Sequence, residues 1–116
     1  MRTQLTVFLA AALMVAGTSV FGASAANGKK LFNSFSKGKC KMCHNITGAK
    51  KVGPGLAGVV NRAAKGAAHG GKKLTPAVLM KLIRNPKAVS AGAKMPANKK
   101  LSKKEIKDIV AYLKTL

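Results

Sequence analysis

The chain has 116 residues but no tryptophan, only two cysteines, only two histidines and only two carboxylate side chains. Past residue 25 its aromatic rings are Phe32, Phe35 and Tyr112 alone. Each shortage excludes something. With so few rings there is no platform for stacking bases, so nucleic-acid binding is not expected. No runs of β-branched residues surround the cysteines, which argues against the βαβ setting of a thioredoxin-like redox pair. No strand pattern and no internal repeat is visible, so the class predicted is all-α.

Residues 5–21 (LTVFLAAALMVAGTSVF) carry no charge, follow a short basic start at Arg2, and lead to Ala23-Ser24-Ala25. This is the pattern of a secretory leader cut after a small-x-small site. The expected division is 1–25 as leader and 26–116 as one domain. A retained amino-terminal membrane anchor is the rival reading. The 17 apolar residues sit at the short limit of a bilayer span, for which about 20 are usual.

Removing the leader, Arg2 included, leaves 91 residues with 21 basic side chains against Glu105 and Asp108, a formal charge of +19. Such a field steers anionic partners and says nothing about fold. A domain this small is marginal on its own. With so thin an aromatic core it needs a disulfide, a metal or a large cofactor as a staple.

The candidate staple is residues 40–44, CKMCH. A Cys40–Cys43 disulfide closes a tiny loop and constrains little. Zinc needs more ligands than Cys40, Cys43 and His44 supply, and the only other histidine is His69 in a Gly-rich loop. Covalent haem attachment uses every part of the motif. Each thiol adds to one vinyl group, a two-residue gap on a helical turn suits their spacing, and His44 follows where its imidazole reaches the iron. Export agrees, because haem of this type is attached outside the cytoplasm. The haem also supplies the missing core.

Candidates for the second axial position are Met42, Met80, Met95, His69 and the lysines. Met42 lies inside the CxxCH turn and cannot reach the other face. Met80 sits in TPAVLMKLIR, where Val78, Leu79, Leu82 and Ile83 make a helical apolar face, so it reads as packing. Met95 lies in SAGAKMPANKK, outside any helical pattern. Pro96 biases it toward extended geometry, and it falls some 50 residues beyond the motif, enough chain to wrap the ring. His/Met ligation fills both axial sites and raises the reduction potential. Such an iron passes electrons and does no chemistry on a substrate, so an enzyme is not expected.

The remaining chain reads as helices and loops. Asn27 is placed as the cap of a first helix running to about Lys39, with Leu31, Phe32 and Phe35 on one face. Thr75 caps a second helix with Pro76 at its first position, ending near Asn85. Ser102 and Glu105 form a capping box for the last helix, whose Ile106, Ile109, Val110 and Leu113 make one buried stripe. Lys103 and Lys104 stand in its first turn, where the helix dipole disfavours cations. Residues 63–73 read as a loop.

These residues together resemble the class I cytochromes c, the small monohaem electron carriers, over nearly all of residues 26–116. The matching stretches are Cys40-Lys41-Met42-Cys43-His44, Gly53-Pro54-Gly55-Leu56-Ala57-Gly58 with Arg62, Asn85-Pro86-Lys87-Ala88, Gly92-Ala93-Lys94-Met95 and Ile109-Val110-Ala111-Tyr112-Leu113-Lys114. The resemblance implies a small cytochrome c fold of three to five helices around one haem c, covalently held by Cys40 and Cys43 and ligated by His44 and Met95. It implies that Gly28 and Phe32 meet Tyr112, that the Pro54 carbonyl orients His44, and that Arg62 lies near a propionate. Lys39, Lys87 and Lys94 fall where the family docks partners. Leu74 stands where many members have tryptophan, Leu82 and Val89 where tyrosine is common, and Ala91 in place of a common proline.

The function expected is an exported, periplasmic, monomeric one-electron carrier between respiratory or other redox partners. Its basic surface would meet acidic proteins, a reductase or an oxidase, or an anionic membrane surface. A gas-binding sensor or weak peroxidase with a labile sixth ligand is the alternative.

Overall fold

The first helix, α1, spans Ala25–Asn33. The computed structural model describes residues 22–63 and 72–116. The apolar stretch 5–21, His69 and most of the 63–73 loop therefore lie outside the described residues. Among the described residues no helix is long and apolar enough to cross a membrane.

Ser24, not Asn27, caps α1: its hydroxyl accepts from the Asn27 amide at 3.1 Å. The helix also stops earlier than its pattern suggests. Ser34 turns extended, and its hydroxyl accepts from the Lys37 amide at 3.1 Å. Serine side chains offer the backbone this alternative to a helical ladder. Phe35 consequently leaves the apolar face and stands 70% exposed, against the expectation that it packs with Leu31 and Phe32. Lys39, left-handed at φ 56°, leads into a 3-10 turn over Cys40–Met42.

The second helix, α2, spans Pro76–Arg84, with the Thr75 hydroxyl accepting from Val78 N and Pro76 in its first turn, as the sequence indicates. A short α3, Pro86–Val89, follows directly and was not expected as a helix. The last, α4, spans Lys103–Leu113 behind the Ser102–Glu105 capping box. Ile106, Ile109, Val110 and Leu113 are all buried, so the predicted stripe is the packed one. Among the described residues there is no strand, only an isolated bridge between Ala63 and Lys73.

The main contact between elements is α1 across α4. It is close because Gly28 has no side chain: a Cβ there would land on the Asp108 carbonyl and within 2.9 Å of Ile109 N. The Phe32 and Tyr112 rings meet edge to face, centroids 5.5 Å apart, a favoured aromatic geometry. Gly28 thus meets the α4 backbone one turn before Tyr112, while Phe32 takes the ring.

Asp108 sits in this crossing with no exposed surface. Its carboxylate accepts from Ser24 N and Asn27 Nδ2, each at 2.7 Å, and from Lys104 Nζ at 2.9 Å. Burial pushes its pKa upward, but the bonds from Asn27, Ser24 and Lys104 outweigh it and hold the group below the ordinary carboxylate range. Lys104 therefore has a structural use that its place in the first turn concealed. The other acid, Glu105, caps α4 and pairs with Lys37 at 3.3 Å.

Asp108→Asn puts an amide NH2 among these donors and should lower stability by about 1–3 kcal/mol at pH 7. Because the folded pKa is depressed, the Asp108 contribution is full above the unfolded value near 3.9 and fades as pH falls through the folded one. Denaturant unfolding of parent and variant should differ clearly at pH 7, and the gap should narrow as pH falls below about 4. A constant gap would refute the titrating carboxylate.

Candidate functional site

The sequence between Cys40 and Arg62 has little regular structure, yet its backbone is tightly laced. His44 N donates to Cys40 O at 2.9 Å, Gly53 N to Cys43 O at 2.7 Å, Leu56 N to Asn45 O at 3.0 Å and Ala57 N to Thr47 O at 3.2 Å. This folds residues 53–57 back onto the turn that carries the cysteines. His44 Nδ1 lies 2.8 Å from the Pro54 carbonyl oxygen. A carbonyl can only accept, so Nδ1 carries the proton and Nε2 presents its lone pair. That is the arrangement of a ligating histidine whose second nitrogen is held by a partner. Gly53 is required beside it: a Cβ there would lie 2.7 Å from Nδ1 and 2.9 Å from Nε2 of His44.

Cys40, Cys43, His44 and Met95 all line one cavity of about 570 Å³. Its walls are Phe32 from α1, Leu79, Leu82 and Ile83 from α2, Ile109 and Leu113 from α4, with Leu56, Val59 and Leu74 between them. The size is that of a site for an organic cofactor. Gly92, Ala93, Lys94 and Pro96 bring Met95 to the wall from the loop after α3. Pro54 and Arg62 also line it. Arg62 is held at the rim by Leu74, whose N donates to Arg62 O at 2.8 Å. Its guanidinium donates to Gly55 O at 3.0 Å and Ala57 O at 3.1 Å.

The rejected candidates fall elsewhere. Met42 is 51% exposed. Met80 lines a separate cavity of about 340 Å³ with Lys81, Arg84 and Ile106. Of the lysines expected to dock partners, Lys94 borders the main cavity, whereas Lys39 and Lys87 are exposed outside its lining. Lys50 and Val52, not singled out by any sequence signal, line it as well.

Cys40 and Cys43 are not bonded to each other. Burial, with a smaller contribution from Cys43, pushes the Cys40 thiol up to about 11, against a backbone hydrogen bond that lowers it. At neutral pH it is therefore a thiol and a poor partner for disulfide exchange. Among the described residues no three His, Cys, Asp or Glu side chains gather as a metal cage. Two thiols, one oriented imidazole and one thioether around an apolar chamber fit a porphyrin iron attached through its vinyl groups.

Comparison with known proteins agrees. The sequence model of the cytochrome c family matches residues 25–116. Cytochrome c2 of Rhodopila globiformis is 36% identical over 99 residues, 77% of this chain and 90% of that protein. Cytochrome c2 of Rhodospirillum rubrum is 35% identical over 133 aligned positions, covering 94% of this chain and 96% of that protein. Among solved structures, cytochrome cH from Methylobacterium extorquens superposes with a TM-score of 0.66 at 35% identity, over 81% of this chain and all of that one. Cytochrome c2 from Rhodospirillum centenum gives 0.64 at 28%, over 80% and 98%. The chain belongs to the cytochrome c family. It is a cytochrome c2-like, all-α monohaem protein with one haem c attached through Cys40 and Cys43.

Gly53→Ala should turn the His44 ring and break its bond to Pro54. In the reduced, diamagnetic protein the slowly exchanging His44 Nδ1–H signal should vanish from 15N NMR spectra. An unchanged signal would show that the neighbouring backbone yields instead.

Proposed function

We propose that this protein is an exported one-electron carrier whose iron is held between His44 and Met95 and whose basic surface guides acidic redox partners. The observation that carries this reading is that the cavity holding the two cysteines is also lined by His44, with Nε2 available, and by Met95, from segments some 50 residues apart. The haem, when bound, supplies a ferric–ferrous couple. The residues do the rest. His44 is oriented by Pro54, and Met95 would be the second residue to hold the iron and would disfavour exogenous ligands. The apolar walls exclude water, and Arg62 stands at the rim where a propionate can be met.

Surface charge supports the docking part. The chain has two carboxylate side chains, and they pair with Lys37 and Lys104. The other cations project a largely unneutralised field, which raises encounter rates with an anionic partner. Lys94 at the cavity wall and the exposed Lys39 and Lys87 are the docking residues in this reading.

Export rests on the leader pattern of residues 1–25. The alignment with the Rhodospirillum rubrum protein reaches into that apolar stretch. Cleavage before Ala26 would leave Ser24 behind, and Asp108 would then keep Asn27 and Lys104 as partners. The protein is proposed to act as a periplasmic monomer.

Carbon monoxide titration of the reduced holoprotein tests the ligand assignment. The parent should bind the gas weakly, and Met95→Ala should bind it strongly with a lower reduction potential. Strong binding by the parent would instead favour a gas-binding protein. Electron transfer to an acidic partner should slow by an order of magnitude or more between low salt and about 1 M, where the screening length falls to about 3 Å. A rate flat across that range would remove the steering role.

A further inference from the structure

The segment that carries Met95 is lightly held. Among the described residues the backbone of 94–97 forms no hydrogen bond. Before it stands the Ala93 N to Ser90 O contact at 3.1 Å. After it stands Asn98, which is bonded through every polar atom it has. Its backbone N donates to Ile83 O at 3.2 Å, at the end of α2. Its backbone O accepts from Arg84 Nη1 at 3.0 Å. Its Oδ1 accepts from Lys100 N at 3.0 Å and Leu101 N at 3.2 Å. Its Nδ2 donates to Lys37 O at 2.9 Å and Gly38 O at 3.2 Å.

That last pair of bonds crosses the molecule. Gly38 lies two residues before Cys40, one of the two cysteines that hold the haem. One side chain thus joins the chain leaving Met95 to the chain entering the haem-attachment turn. Arg84 backs it by donating also to Leu101 O. Arg84 and Asn98 are each only partly exposed, and the bonds from Arg84 and from Asn98 Nδ2 to Gly38 O are part-buried, so these compete less with water than surface contacts do.

We propose that Asn98, supported by Arg84, is the positioning residue that keeps Met95 on the iron by fixing the distance between the two ligand-bearing segments. The proposal rests on the reading of Met95 as the sixth ligand. It does not make Asn98 a ligand, and nothing in it requires Asn98 to touch the haem. Without the Nδ2 bonds the chain after Met95 loses its tie to the chain entering the haem-attachment turn, and residues 94–97, which have no backbone bonds of their own, can move away from it. The open state, in which another ligand can take the iron, then becomes more populated. An exogenous ligand reads that population directly, because its apparent affinity scales with the open fraction.

The test uses the reduced holoprotein with carbon monoxide and the oxidised holoprotein with imidazole. Asn98→Ala should bind both about tenfold more tightly than the parent, the factor produced by about 1.4 kcal/mol in the open–closed equilibrium. Asn98→Asp keeps the acceptor and loses the cross-molecule donors, and should also bind more tightly. Arg84→Lys should move in the same direction by less. Asp108→Asn is the comparison for a loss of stability elsewhere: it weakens the α1–α4 crossing without touching residues 94–101, and it should tighten both affinities less than Asn98→Ala does. If Asn98→Ala or Asn98→Asp loses stability as Asp108→Asn does but binds carbon monoxide like the parent, Asn98 is merely structural and the proposal is wrong. A Met95→Ala protein that binds no better than the parent overturns the ligand reading and this proposal together. Strong binding by Met95→Ala beside unchanged Asn98 variants overturns this proposal alone.

Discussion

Everything else in the structure is arranged around the close crossing of α1 and α4. It depends on the missing side chain of Gly28, whose place is taken by the backbone of Asp108 and Ile109. The approach brings Phe32, Ile109 and Leu113 to one wall of the cavity while Tyr112 closes on Phe32 from the side. A small chain without tryptophan cannot fill its own centre. The crossing makes a rigid apolar frame and leaves a chamber that the haem completes. Cofactor and core are the same object here, which is why a domain of this size can be stable despite its poverty in large side chains.

Charge is distributed by an unusual economy. With two carboxylates in the chain, both are placed on α4 and both act structurally, Asp108 at the crossing and Glu105 at the helix cap. None remains to neutralise the lysines spread over the surface. Self-repulsion destabilises the compact state, and the gain is a long-range field of one sign. In the proposed function that field serves recognition and not folding.

The two sides of the cavity are built differently. On the His44 side, residues 53–57 are laced to 43–47 by backbone bonds, and Pro54, which has no amide proton to lose, holds the imidazole. On the Met95 side the chain runs free between a turn and Asn98. A thioether sits on a flexible stem, and in the proposed reading its place is set less by its own packing than by where the flanking chain is tied.

How much of this could be read from residues alone follows the range of the interactions involved. Thr75 with Pro76 and Ser102 with Glu105 announce helix starts because a cap acts over three residues, and both starts are where the pattern places them. CKMCH is legible for the same reason. Asn27 carries the local pattern of a cap, but Ser24, in what reads as leader, takes that place, and its second bond reaches Asp108, 84 residues away. Phe35 keeps helical spacing with Phe32, yet the Ser34 turn ends the helix first. By itself the sequence determined the all-α class, two of the helix starts, the attachment cysteines and a short choice of axial ligands. Only the tertiary structure decided that Met95 and not Met80 shares a chamber with His44, that Asp108 is dry and paired, and that Asn98 joins the chain after Met95 to the chain before Cys40. Those facts depend on contacts between residues far apart in the chain, and no local pattern encodes a distance that only packing sets.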